Sequence, residues 1–121
     1  MIQFVVKLAR GHIRKIPSTY PALIEYESRF KIIIDNKIFF DDPNFPLFEF
    51  LKYAVEWEKN PNGSFEYRSI ETEDNPLIFF SYENSKFRVF SPWQKFECQL
   101  LFTKKDIIDA INTLLTEVIS C

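Results

Sequence analysis

The sequence predicts a single α+β domain over residues 1–121, an antiparallel sheet of about five or six strands packed with two α-helices, the second C-terminal. Three observations lead there. Short runs carry apolar residues at every second position, the period of a half-buried strand. Two stretches, Leu47 to Glu58 and Ile107 to Val118, instead repeat apolar residues at three- and four-residue spacing, as a surface helix does. Clusters of Asp, Asn, Pro and Ser punctuate these segments. With 46% hydrophobic and 17% aromatic residues, among them fourteen phenylalanines, the chain has material for one core and lies far from a disordered composition.

Met1 to Ala9 fits a strand or a helix, and Gly11 to Tyr20 reads as a basic loop, so residues 1–23 carry no firm assignment. From Ile24 to Ile34 the pattern is clear: Tyr26, Ser28, Phe30, Ile32 and Ile34 face one way and Glu27, Arg29 and Lys31 the other. Asp35-Asn36-Lys37 supplies a turn, because Asp and Asn tolerate left-handed backbone, and Ile38-Phe39-Phe40 returns as the second strand of a hairpin. Asp41-Asp42-Pro43-Asn44-Phe45-Pro46 is then expected to break the strand, with Asn44 as a helix cap and proline near the first turn.

The helix over Leu47 to Glu58 turns Leu47, Phe48, Leu51, Ala54 and Val55 inward, leaves Glu49, Lys52, Glu56 and Lys59 wet, and puts Trp57 at the edge of the stripe. Asn60-Pro61-Asn62-Gly63 ends it. Ser64 to Glu71 reads as a strand with Phe65, Tyr67 and Ser69 on one face; Leu77 to Tyr82 is apolar on both faces and reads as a central strand. Glu83-Asn84-Ser85-Lys86 turns the chain back through Phe87 to Phe90. Phe96 to Phe102 alternates, with Phe96, Cys98, Leu100 and Phe102 inward, and reads as the last strand. Thr103-Lys104-Lys105-Asp106 has the spacing of a capping box ahead of the C-terminal helix.

Material for chemistry is scarce. His12, between Arg10 and Arg14, is the single histidine, and one imidazole without a partner makes neither a zinc site nor a triad; it reads as solvent-exposed. Both glycines are isolated, so no loop cradles phosphates. Cys98 reads as a small core residue, and nothing supports a disulfide to Cys121. A net charge of −2 gives no footprint for gripping nucleic acid, and no run is long enough for a membrane span or a signal core, which points to a cytoplasmic protein without nucleic-acid or membrane partners. No cofactor, metal site or catalytic set is expected. Carboxylates cluster at Asp41-Asp42, Glu56-Trp57-Glu58 and Glu71-x-Glu73-Asp74, where they form a solvated rim or receive a basic protein surface. Trp57, Trp93 and Tyr53 lie near element ends, where an exposed ring anchors an interface, although a core position suits each better.

The order of an Ile34-Asp35…Phe39-Phe40 hairpin, a helix carrying Glu49-Phe50 and ending in Trp57, a Phe65-Glu66-Tyr67-Arg68-Ser69 strand, Pro76 to Phe80 and Ser91-Pro92-Trp93 resembles small bacterial immunity-protein-type domains. These accompany polymorphic or contact-dependent toxins in bacterial competition. The resemblance covers residues 24 to 119 and rests on core patterns. It implies a cytosolic, non-enzymatic inhibitor that binds a cognate toxin domain, often a nuclease with a basic cleft, and blocks its active site. The family contributes no contact positions, so charge and exposure alone nominate Asp41, Asp42, Glu56, Trp57, Glu58, Glu71, Glu73, Asp74 and Trp93 as toxin-binding. Two alternatives stay open: an interaction module acting as a homodimer through a sheet edge, and a small ligand-binding protein with a pocket between sheet and helix.

Overall fold

In a computed structural model, residues 1–7, 27–59, 63–70 and 72–119 are described. Among them run β1 (Ile2–Lys7), β2 (Glu27–Ile34), β3 (Lys37–Pro46), α1 (Leu47–Lys59), β4 (Phe65–Tyr67), β5 (Ile78–Glu83), β6 (Lys86–Phe90) and α2 (Lys104–Val118). The α+β class and the C-terminal second helix are as the sequence predicts. All strand pairs are antiparallel, and the six strands divide into two sheets, β1-β2-β3 and β4-β5-β6. The N-terminal run, open between helix and strand, is strand through Lys7 and pairs Phe4 with Ile32. Expectations for residues 8–26, for Asn60 to Asn62 and for Glu71 and Cys121 lie outside the described residues.

Both hairpins close through two-residue turns. Asp35 and Asn36 have φ of 49° and 66°, and Asn84 and Ser85 of 49° and 70°. Left-handed backbone at both central positions matches the twist of the flanking strands, and Asp and Asn accept it at low cost. Each turn fixes its register locally: Ile34 opposes Lys37, and Glu83 opposes Lys86. As expected for a central strand, β5 lies between β4 and β6.

Strand β3 departs from expectation. Asp41 to Pro46 does not break it; the strand runs on to Pro46 with two irregularities. Ile33 opposes Ile38 while Ile32 opposes Phe40, which leaves Phe39 as an extra residue, and a second extra residue enters between Asp42 and Phe45, where Pro43 and Asn44 together face Arg29. The physical reason is position: among the described strands β3 lies at the edge of its sheet, and Pro43, which has no N–H, falls in the second bulge without a residue paired to it, so it removes no ladder bond. The first bulge also explains how consecutive Phe39 and Phe40 are both fully buried. Asn44 therefore lies in a strand and not at a helix cap, and α1 starts directly after Pro46.

Helix α1 is buried on more than its predicted stripe. Leu47, Phe48, Leu51 and Ala54 are inside as expected, and so are Phe50, Trp57 and Glu49. The cause is that α1 serves both sheets: Phe50 meets Phe30 and Phe45 on one side and Phe65 and Tyr67 on the other. Glu49, predicted wet, is fully buried, and its Oε1 accepts a 2.6 Å hydrogen bond from the Tyr67 hydroxyl while Oε2 has no hydrogen-bond partner among the described residues. The segment Phe96 to Phe102 is not a strand. It is irregular chain joined to β6 by one bridge, Phe87 with Phe102, and although Cys98 and Phe102 are buried, Leu100 is 45% exposed. The segment Ser64 to Glu71 is strand only at Phe65–Tyr67, yet Phe65, Tyr67 and Ser69 are buried as the alternation requires.

The capping box is present. Thr103 accepts from the Asp106 N–H through its hydroxyl, and the Asp106 carboxylate accepts from the Thr103 N–H. That second bond, with the Thr103 side chain after it, holds the Asp106 carboxyl below its ordinary value. Thr103→Ala should cost about 1 kcal/mol, a melting-temperature drop of about 4 °C at this size. Because the folded-state value of Asp106 is depressed, its contribution is complete above the ordinary carboxylate value of 3.8 and fades as pH falls through the folded value. The stability gap between Asp106→Asn and the parent should thus narrow on acidification in denaturant titrations; a gap independent of pH would contradict the assignment. In the core, Tyr67→Phe strips a buried carboxylate of its donor and should cost about 1–3 kcal/mol by the same measurement.

Candidate protein-binding site

The chain after β6 builds a turn from its own polar groups. The Ser91 N–H donates to Gln94 Oε1 at 3.1 Å, the Gln94 N–H to the Ser91 carbonyl at 3.1 Å and the Trp93 N–H to Ser91 Oγ at 3.1 Å. Two contacts fasten this turn to β3: the Lys95 N–H donates to the carbonyl of the bulged Phe39 at 2.8 Å, and Phe96 packs edge-on against the Phe39 ring at 5.4 Å. Trp93 consequently lies flat on Phe40, with centroids 6.1 Å apart and planes 8° from parallel. Its indole N–H donates to Asp74 Oδ2 at 2.8 Å, and 39% of the residue stays exposed.

Asp74 comes from the loop between β4 and β5, which is shaped by one side chain. The Asn75 amide donates to the carbonyls of Ser69 and Thr72 at 2.9 and 2.7 Å, and its oxygen accepts from the Ser69 N–H at 2.9 Å. Thr72 Oγ1 accepts from the Asp74 N–H at 3.1 Å. Between this loop and β3 opens a hollow of about 510 Å³, lined by Glu27, Asp42, Asn44, Ser69, Thr72 and Trp93 among others. Among the described lining residues two are carboxylates and none is lysine or arginine. The Asp42 carboxylate accepts from the Asn44 N–H at 3.0 Å, a local bond that aims it from the second bulge.

The nominated residues thus sort by geometry. Asp42, Asp74 and Trp93 come together, with Glu73 exposed beside Asp74. Asp41 does not join them: it receives two bonds from the Arg29 guanidinium, at 3.2 and 2.8 Å, and that pairing holds its carboxyl below the ordinary value, with Lys31 and Lys95 adding to the effect. Glu56 and Glu58 sit late in α1 and line no part of the hollow. Trp57 takes the core position that the sequence favours and not that of an exposed anchor, so it does not join the nominated surface: it is 9% exposed, packs on Phe65, Phe80 and Phe87, and donates its indole N–H to the Gly63 carbonyl at 3.3 Å. Glu71 lies outside the described residues. Sequence reasoning missed Glu27, read only as the wet face of a strand; its place in the hollow follows from its pairing opposite Pro46, which no local signal encodes.

Chemically the hollow offers carboxylates, hydroxyls and an aromatic face. That set receives a cation, and a guanidinium or ammonium packed over an indole gains about 0.5–2 kcal/mol. Among the described residues no group of three or more His, Cys, Asp or Glu side chains is placed to hold a metal ion. Among the described residues no helix is long and apolar enough to cross a membrane.

A family model described as a domain of unknown function (DUF7878) matches residues 3–120. No curated protein and no solved structure matches the chain.

The two tryptophans should report this geometry directly. Acrylamide should quench the emission of the Trp57→Phe variant, which retains Trp93, several-fold more strongly than that of Trp93→Phe. Equal quenching of the two variants would contradict the placement of Trp93 at the surface.

Proposed function

The chain belongs to the DUF7878 family, and from the geometry around Trp93 we propose that it works by binding, as an immunity-type inhibitor that occupies the basic cleft of a toxin domain. The observation that carries this reading is Trp93 itself: a half-exposed indole held flat by Phe40 and tethered by Asp74, beside a hollow whose described lining holds Asp42 and Glu27 and no lysine or arginine. A fixed aromatic anchor among carboxylates has the composition of an interface hot spot for a basic partner, since the ring supplies contact area and the charges steer the encounter. The resemblance of residues 24–119 to immunity-protein-type domains agrees with that chemistry.

The reading assigns different roles to neighbouring residues. Asp42, Asp74 and Glu27 steer and Trp93 anchors. Asp41 is neutralised by Arg29 and contributes little, because an acid already paired adds only a weak field outside its pair.

The test is co-expression with a toxin-type domain encoded beside this chain. A stable complex by gel filtration and loss of toxicity are expected, and the absence of any complex overturns the proposal. Within such a complex Trp93→Ala should weaken affinity by about 2 kcal/mol or more, roughly 30-fold. The double variant Asp42→Lys with Asp74→Lys should lower the association rate by about tenfold at low salt, while Asp41→Asn leaves it unchanged. Equal effects at Asp41 and Asp42 would reject this assignment of the surface.

A further inference from the structure

A second groove, sharing no lining residue with the Trp93 hollow, opens along β1. It measures about 630 Å³ and runs between Met1 to Val5, the Leu100 to Phe102 segment and one side of α2. β1 is an edge strand whose sole described partner is β2. The Asp35 N–H donates to the Met1 carbonyl at 3.0 Å, which marks Met1 and Asp35 as a hydrogen-bonded pair. Alternation along the antiparallel ladder then turns the main-chain N–H and C=O of Gln3 and Val5 toward β2 and those of Ile2, Phe4 and Val6 away from it. The groove is therefore walled by main-chain donors and acceptors without partners among the described residues.

Its other walls have a definite character. Val5, Leu100 and Leu101 are apolar and exposed. Asp35, Asp106, Asp109 and Glu117 line it, and among the described residues no lysine or arginine does. Asp35 pairs with the Met1 amine, Asp109 pairs with Lys105 at 2.7 Å and Asp106 is engaged by the helix cap, while Glu117 makes no ion pair among the described residues. Natural sheets commonly protect a free edge with lysines along it. Here the described lining bears carboxylates and exposed leucines, the opposite sign to that common device.

We infer that the edge of β1 left open among the described residues receives an extended segment of a partner protein as an added strand, and that the segment alternates apolar with lysine or arginine residues. Strand addition supplies affinity through main-chain bonds and selectivity through the alternate side chains. Four residues of β1 at about 3.4 Å each give the added strand roughly 14 Å of pairing. One face of that strand continues the side of Gln3 and Val5; the other meets the flank of α2, where Glu117, without an ion pair among the described residues, complements a cationic side chain. This inference stands apart from the binding reading of the Trp93 hollow.

The probe is a blocked eight-residue peptide of alternating valine and lysine, titrated into the whole chain and followed by amide chemical shifts. Saturable changes centred on Ile2, Phe4 and Val6 are expected. The same peptide N-methylated at alternate residues, and a version with glutamate for lysine, should each bind at least tenfold more weakly. Asp109→Lys with Glu117→Lys, both exposed positions whose replacement should leave the melting temperature nearly unchanged, should weaken binding by a similar factor. Trp93→Ala should leave it unaltered, so failure here is separable from failure of the toxin-binding proposal. Equal binding of the N-methylated or acidic peptide, indifference to the double charge reversal, or a solution dimer paired through β1 that excludes the peptide would each overturn the inference.

Discussion

The ring of Phe50 lies within 6.0 Å, centre to centre, of Phe4, Phe30 and Phe45 in one sheet and of Phe65 and Tyr67 in the other. No ladder of hydrogen bonds joins the two described sheets, so the chain holds them together by side-chain packing across α1. A three-stranded sheet is stable only with one face covered. Most of the contacts around Phe50 are edge-to-face or tilted, geometries worth about 0.5–1.5 kcal/mol each beyond area burial. Phe4 stacked on Phe80 and Phe45 against Tyr67 extend the same seam. This is why the chain carries fourteen phenylalanines: flat rings tile a junction between two twisted sheets with few voids.

Everything outside the seam inherits its position from it. Tyr67 is packed by Phe45, Phe50 and Tyr53, and that placement aims its hydroxyl at Glu49. On the other side of β3, Phe40 packs against Phe30 and Phe45 with one ring and carries Trp93 on its outer surface. The indole at the candidate site is thus one aromatic contact removed from the core, and its rigidity is borrowed from it.

Local order was legible in the sequence and long-range order was not. Asp35-Asn36 and Asn84-Ser85 announced the hairpins because the conformation needed is a property of the turn residues themselves. Thr103 and Asp106 announced α2 for the same reason, both partners lying within one helical turn. Phe96 to Phe102 misled, since alternation reports two unlike environments and not ladder bonds; loop chain packed on a core alternates as a strand does. Glu49 misled because a helix between two sheets has no fixed wet side, and its donor lies eighteen residues away. At the candidate site, Asp42, Asp74 and Trp93 were each nominated, but their meeting depends on how the β4–β5 loop lies against β3. Asp41 and Asp42 were indistinguishable as letters; strand pairing gave one of them Arg29 and the other the hollow.

The unpaired residue in β3 has a meaning in terms of chain length. Remove Phe39, and Ile38 still opposes Ile33 while Phe40 opposes Ile32, so the ladder from Lys37 to Asp42 closes into regular pleat. What disappears is the carbonyl that receives Lys95 and the ring that receives Phe96, and with them the anchorage of Trp93. A single codon therefore separates the scaffold from the surface it presents. A change of chain length at this point alters the presented face and one buried ring together, because Phe39 packs in the core as well as anchoring the turn that carries Trp93.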